Sequence, residues 1–355
     1  MMYLGLKEMA HEKLRYALLT GVMLLIALVV FILAGLANGL SQGNRLAVDQ
    51  WHADNVYLNQ QANKSIAGSQ LTTDVTKSVT ADKLAPMNIA STVLRRTGTN
   101  KKINVALIGT TKDAFLIPKL LHGRKPTKTN EIIVSQDLWD RGMKLGDKIK
   151  LGQLTQTQTV VGSYGHNMYS ITPTIYTDLA TVAKIQQGNL RPNQALPIAA
   201  VVTAGDSKLK NSSNLQKLSM PDFINHLPGY TAEQTTLNAM IYFLFTMSLA
   251  IIGIFMYVLV LQKQALFGVL KVEGIGTGYI LASVVTQAII MSTIGVVVGL
   301  GLTTLFGAFA PTNMPFALDF PRLIIDAILL VLAATVGALL SGRTIARINP
   351  VAAIN

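Results

Sequence analysis

Four long apolar stretches punctuate the chain. Tyr16–Leu40 and Leu237–Leu261 carry no charged residue, Tyr279–Ala310 runs unbroken to Pro311, and Leu323–Ser341 holds one acid, Asp326. A hydrocarbon core about 30 Å thick needs roughly 20 apolar residues in a helix, because a spanning backbone must satisfy its own hydrogen bonds. Each stretch meets that length, so the pattern predicts four transmembrane helices. Gly295, Gly299, Gly301 and Gly307 in the third predict close helix packing.

Between the first and second spans lie roughly 195 mostly polar residues, enough for a folded domain. Short segments bounded by Gly, Asn or Pro predict strands at Asn55–Leu58, Ile103–Ile108, Glu131–Val134, Lys148–Leu151, Thr157–Gly162, Thr174–Tyr176 and Ile198–Thr203. Helices are expected at Ser135–Arg141, Leu179–Gln187 and Met220–Leu227, and a loop at Asp206–Leu218. The fold class is therefore an α-helical membrane protein with a large mixed α/β extracellular domain inserted between helices 1 and 2. The expected layout is an amphipathic cytoplasmic segment at 1–15, spans at 16–41, 235–262, 279–310 and 322–343, and the domain at 42–234. A cytoplasmic loop follows at 263–278, a short outer loop at 311–321 and a cytoplasmic end at 344–355.

Composition agrees: 50% of residues are hydrophobic and 14% charged, with a mean hydropathy of +0.41, too apolar for an ordinary soluble domain. Basic residues set the orientation. Lys7, Lys13 and Arg15 precede the first span, Lys263 and Lys271 sit between the second and third, and Arg343 and Arg347 follow the fourth. Those places share one side, the cytoplasm, which puts the large domain outside. The amino terminus looks like a signal peptide whose core is too long, so it is expected to remain as an anchor. The net charge of +12 does not indicate nucleic acid, because the basic residues are divided among short ends and a domain with no aromatic-basic stripe. Attraction to anionic lipid headgroups accounts for the surplus more simply. With no cysteine, there is neither a disulfide nor a thiolate metal site.

The sequence contains no G-x-x-x-x-G-K-[ST] loop, no H-E-x-x-H and no G-x-S-x-G. Its five histidines are scattered singly. No catalytic residue is expected, and energy from ATP would have to come from another subunit. In Gln262–Gly278, Leu266, Phe267, Val269 and Leu270 cluster on one side of a two-turn helix, interrupted by Lys263, Lys271 and Glu273. That pattern suits either docking of another protein or an interfacial helix. Ahead of the second span, Tyr230 and Glu233 sit about one turn apart in Pro228–Gln234. A carboxylate there is either a partly desolvated ligand or a helix-terminal acid favoured by the dipole. Tyr164, His166, Met168 and Tyr169 form a second aromatic cluster, and Asn38, Ser41, Gln42 and Arg45 mark the outer end of the first span. Arg45 serves either as an edge anchor or as a partner for an anionic ligand. Arg322 and Asp326 are spaced for an i,i+4 ion pair.

The layout resembles the FtsX-like or MacB-type ABC transporter permeases. The local marks are LKEMAHEKLRYALL at the start, Phe267-Gly268-Val269-Leu270-Lys271-Val272-Glu273-Gly274, Leu145-Gly146-Asp147-Lys148-Ile149, and Ala346-Arg347-Ile348-Asn349-Pro350-Val351-Ala352-Ala353. Many members carry an acid before the loop's apolar pair; Leu266 stands there here and counts against the macrolide-exporting branch. LANGLSQGNRLAVDQW, FGVLKVEGIGTGY and PGYTAEQ are most similar to the haem-exporting branch. The resemblance implies a homodimer joined to two ATPase copies in a bacterial cell membrane, exporting haem. It implies a cytoplasmic coupling helix of Leu266, Phe267, Val269, Leu270, Lys271 and Glu273. Haem would take an iron ligand from Glu233 or Tyr230, a propionate contact from Arg45, apolar walls from Phe31, Leu36 and Met240, and a cover from Tyr169. Export of another amphiphile, such as a peptide or macrolide, and a signalling permease that moves nothing are the alternatives.

Overall fold

The computed structural model describes residues 12–98, 101–188, 191, 194–210, 214–311 and 314–346. The expected amphipathic segment before Glu12 and the chain's ending from Arg347 onward lie outside the described residues. The chain divides into two compact units, Met1–Gly39 with Gln234–Asn355, and Leu40–Glu233.

The first unit is helical. Helix α1 (Lys13–Gln50) contributes its first turns here and its last turns to the second unit. After the insertion come α2 (Tyr230–Gln262), α3 (Gln264–Val272), α4 (Thr277–Phe309) and α5 (Phe320–Leu340). Helices α1, α2, α4 and α5 are long and apolar enough to cross a membrane. Their shared core holds Met23, Ala27, Phe31, Met256, Leu259, Ala288, Leu330 and Ala334. Small residues set the approach distances. A Cβ on Gly337 of α5 would sit 2.5 Å from the Leu249 carbonyl of α2, and one on Gly295 of α4 would sit 2.9 Å from Met23 Cβ of α1. Gly301 meets nothing within 4 Å and does not serve this packing. The expected Arg322–Asp326 pair does not form: the Arg322 guanidinium donates to Asn238 Oδ1 at 2.5 Å, and buried Asp326 Oδ2 has no partner among the described residues. A neutral amide on the neighbouring helix satisfies the arginine without burying two charges.

The second unit is a mixed sheet. Its strands are β1 (Asn55–Asn59), β2 (Leu71–Thr72), β3 (Val79–Arg96), β4 (Lys102–Thr110), β5 (Leu120–Gly123), β6 (Glu131–Ser135), β7 (Lys148–Leu151), β8 (Gln158–Tyr164), β9 (Met168–Tyr169), β10 (Thr172–Asp178), β11 (Pro197–Ile198), β12 (Ala200–Leu209) and β13 (Leu215–Ser219). The main sheet runs β13-β1-β12-β3-β4-β10-β6-β8-β5, with β7 joining β3 to β8. Most neighbours are antiparallel, but β10 lies parallel to β4 and β6 parallel to β8. The helix Leu179–Gln187 packs on β3 and β4, where Gly109 leaves room for Val182. Asp178 caps that helix by accepting from the Thr181 amide at 2.9 Å.

Two readings change. Strand β3, the longest and an interior strand of the sheet, has no counterpart in the sequence pattern, because Asp82, Lys83 and Pro86 interrupt its alternation. Its neighbour β12 pairs with this very segment, Ala204 opposite Lys83 and Val201 opposite Pro86, and β4 pairs with the length from Met87 to Arg95. Residues 206–218 are not one loop: β12 continues to Leu209 and β13 starts at Leu215. There the Tyr57 hydroxyl donates to buried Ser207 Oγ at 2.9 Å, which gives a polar segment an inward anchor.

Candidate functional site

The last turns of α1 and the first turn of α2 meet inside the second unit. Positive φ at Gly229 (+77°) turns the chain, and α2 starts at Tyr230 with Glu233 in its first turn. On α1, Ser41, Asn44, Arg45 and Val48 recur at three- and four-residue spacing and so share a face. Asn44, 5% exposed, donates through Nδ2 to Glu233 Oε2 at 2.7 Å. Glu233 Oε1 has no partner among the described residues, so the carboxylate is oriented by one oxygen and open at the other. Tyr230 is largely buried, and its hydroxyl shares a hydrogen bond of 3.2 Å with Ser41 Oγ and receives Arg45 Nη1 at 3.4 Å. Arg45 also grips Asp49 through Nε and Nη2, both at 2.8 Å. The arginine is thus already charge-compensated, and an anionic ligand would have to share it.

Asn44 and Asp49 were missed by sequence reasoning, although their spacing from Ser41 and Arg45 on one helix face is a usable signal. Tyr169 is placed differently from the expectation. It is 6% exposed, packs in a core with Ala47, Trp51, Tyr164, Tyr176 and Tyr230, and its hydroxyl has no partner among the described residues. Burial pushes its phenol up, which disfavours phenolate. Its side chain is part of that core and presents little open surface. The turn after it, Ser170-Ile171, has φ values of 48° and 59°, a left-handed conformation costly for a β-branched residue. Its amides donate to the carbonyls of Asn44 (3.3 Å) and Gly43 (2.8 Å), which fasten the turn to α1. His166 pairs with Asp137 at 2.9 Å. Tyr164 donates to the Thr174 carbonyl at 2.8 Å and lies with Tyr169 in the core, whereas His166 is exposed, so the four residues do not form one cluster.

The expected apolar walls belong to the helical unit. Phe31 is fully buried in its core, Leu36 is half-buried, and Met240 is exposed on α2. Phe31 presents no open surface.

The same unit carries the second site. Helix α3 buries Phe267 and turns Leu270 onto the helical core, while Leu266, Val269 and Val272 are 47%, 43% and 55% exposed. The outward apolar stripe is therefore Leu266, Val269 and Val272, with Glu273 exposed beside it. Both ends of α3 are tied down. Lys263 at its start lies 3.6 Å from Glu12 and donates to the Tyr16 hydroxyl at 3.5 Å, and that hydroxyl donates to Gln287 of α4 at 2.9 Å. Lys271 near its end donates to the Ile345 carbonyl at 2.8 Å. Among the described residues no cluster of three His, Cys, Asp or Glu is placed to hold a metal ion.

A family model described as the MacB-like periplasmic core domain matches residues 17–214, and one described as the FtsX-like permease C-terminal matches residues 238–350. The chain is 28% identical to a putative hemin transport system permease protein HrtB of Staphylococcus epidermidis and 25% identical to that of Staphylococcus haemolyticus, over 99% of each chain. The periplasmic region of MacB from Actinobacillus actinomycetemcomitans is similar to 56% of this chain and 98% of its own, at 14% identity and a TM-score of 0.35. By the two family models and its four apolar helices, the chain belongs to the FtsX-like permease family with a MacB-like core domain: it is a membrane protein and the permease of an ABC transporter, not its ATPase.

Proposed function

We propose that this permease exports haem from the cell membrane, driven by ATP hydrolysis on a separate subunit. The observation that carries the reading is the Glu233 carboxylate, oriented by Asn44 at 2.7 Å with one oxygen open, next to the Tyr230 hydroxyl and Arg45. Oxidised haem iron accepts hard oxygen ligands, and its propionates seek a cation. Glu233 or Tyr230 supplies the first and Arg45, exchanging Asp49 for a propionate, supplies the second. Similarity to proteins named for hemin transport supports the same reading.

In this reading two permease copies act with two ATPase copies. Residues 16–41, 235–262, 279–310 and 322–343 lie in the lipid, and residues 42–234 lie outside. Both termini and α3 face the cytoplasm, where the exposed stripe of Leu266, Val269 and Val272 meets the ATPase and Phe267, Leu270 and Lys271 hold the helix to the spans.

Purified wild-type protein is expected to shift the absorption spectrum of added haem, and Glu233→Ala combined with Tyr230→Phe is expected to lose that shift by at least about tenfold in affinity, the scale of one lost hydrogen-bonded charged contact. An unchanged spectrum in the double variant would remove these residues from the ligand site.

A further inference from the structure

Residues 95–150 hold thirteen lysines and arginines against five acids, so most of the chain's excess charge is concentrated in one stretch of the α/β unit. The sheet aligns part of it. Arg95 on β3 is paired directly with Lys102 on β4 and, on its other side, with Lys150 on β7. Directly paired residues on adjacent strands point to the same face, about 5 Å apart. Here that face is outward: Arg95, Lys102 and Lys150 are exposed, while Leu94, Ile149 and Leu151 beside them are buried on the opposite face. Lys148, two residues before Lys150, is exposed on the same side. Four cations therefore occupy adjacent positions on three strands.

The fold neutralises cations nearby but not these. Arg96 pairs with Asp147 at 2.9 Å, and Arg124 forks onto Glu131 at 2.6 and 2.8 Å. Among the described residues, Arg95, Lys102, Lys148 and Lys150 make no ion pair or side-chain hydrogen bond. Like charges placed directly opposite each other destabilise a sheet, so the row is a cost to the folded domain that an external anion would remove. The neighbours on that face, Val93 and Asn104, provide no aromatic or methionine anchor of the kind that centres a protein interface. A row of three cations across the strands, extended by Lys148 along β7 and without an apolar centre, suits a flexible chain of repeating anions.

We propose that the outward face formed by Lys102, Arg95, Lys150 and Lys148 binds a linear phosphodiester polymer. The inference is independent of which ligand the permease transports. Its test uses full-length protein in neutral detergent micelles and a labelled synthetic poly(glycerol phosphate), with fluorescence anisotropy read across a salt series. The wild type is expected to bind with an affinity that falls steeply with salt. The triple variant Arg95→Gln, Lys102→Gln, Lys150→Gln is expected to bind at least about tenfold more weakly with the salt slope reduced by roughly two, as expected for three lost phosphate contacts. A control triple, Lys83→Gln, Lys208→Gln, Lys210→Gln, removes the same charge from exposed positions; Lys83 and Lys208 pair with uncharged residues. It is expected to bind nearly as the wild type does. Relief of like-charge repulsion is also expected to raise the melting temperature of the first triple and not of the control. Absent binding by the wild type, equal weakening in both triples, or equally tight binding to polyglutamate or to phosphatidylglycerol vesicles would overturn the assignment.

Discussion

Glu131 shows what a single carboxylate contributes to the α/β unit. It is 6% exposed and accepts from both Arg124 amines, from the Thr127 amide at 2.8 Å and from the Lys128 amide at 3.2 Å. The Arg124 guanidinium, helped by those amides, holds its carboxyl far below the usual range. A carboxyl with a depressed folded-state value contributes stability that is fully present above its unfolded value of about 4.3 and is lost as pH falls from there towards the folded value. Glu131→Gln is therefore expected to melt several degrees lower than the wild type at neutral pH, with the difference narrowing below about pH 4. Thermal unfolding of the full chain across that pH range is the measurement, and a constant difference would mean that charge plays no part. At the candidate ligand site the same economy is absent. Glu233 has one oriented oxygen and one open one, and the proposed ligand role rests on that open oxygen.

At the scale of elements, α3 is the informative piece. Nine residues long, it is too short to be stable by itself and depends on its attachments. Phe267 enters the helical core, Lys263 links its start to Tyr16 and Glu12, and Lys271 links its end to the Ile345 carbonyl. In the proposed mechanism these ties would pass a push on the exposed stripe to α1 and α4 from one end and to the segment after α5 from the other. Lys263→Met keeps the length and apolar stem of the side chain but removes the charge. In reconstituted transporter it is expected to lower transport about fivefold, corresponding to roughly 1 kcal/mol for a partly buried polar contact, while ATP hydrolysis by the partner continues. Equal loss of both activities would indicate a folding defect, and loss of neither would show that the tie carries no load.

For the whole molecule, the absence of native cysteine makes sidedness directly measurable. Lys210→Cys in the α/β unit and Glu273→Cys after α3 replace exposed side chains. A membrane-impermeant maleimide is expected to label the first in intact cells and the second only after permeabilisation. The reverse pattern would invert the orientation drawn from the basic residues and with it the direction of export.

The four apolar helices were legible because the membrane requirement is simple: enough apolar length and no unpaired charge. Several strands were legible for a similar reason, since β7 shows its burial in its own residue alternation and β6 in an unbroken apolar run. Tyr230 and Glu233 could be singled out because a phenol and a carboxylate beside an apolar helix are costly unless used. What the sequence could not show depended on partners far along the chain. The strand β3 is held by neighbours that override Pro86 and its charges, Asn44 reaches Glu233 across 189 residues, and Asp49 takes the guanidinium that the resemblance assigns to a propionate. Tyr169, which the resemblance makes a cover, is buried by packing. Residue type and spacing determine which groups are available; only the tertiary structure decides which of them already have a partner, because a hydrogen bond or an ion pair is a property of two positions and not of one.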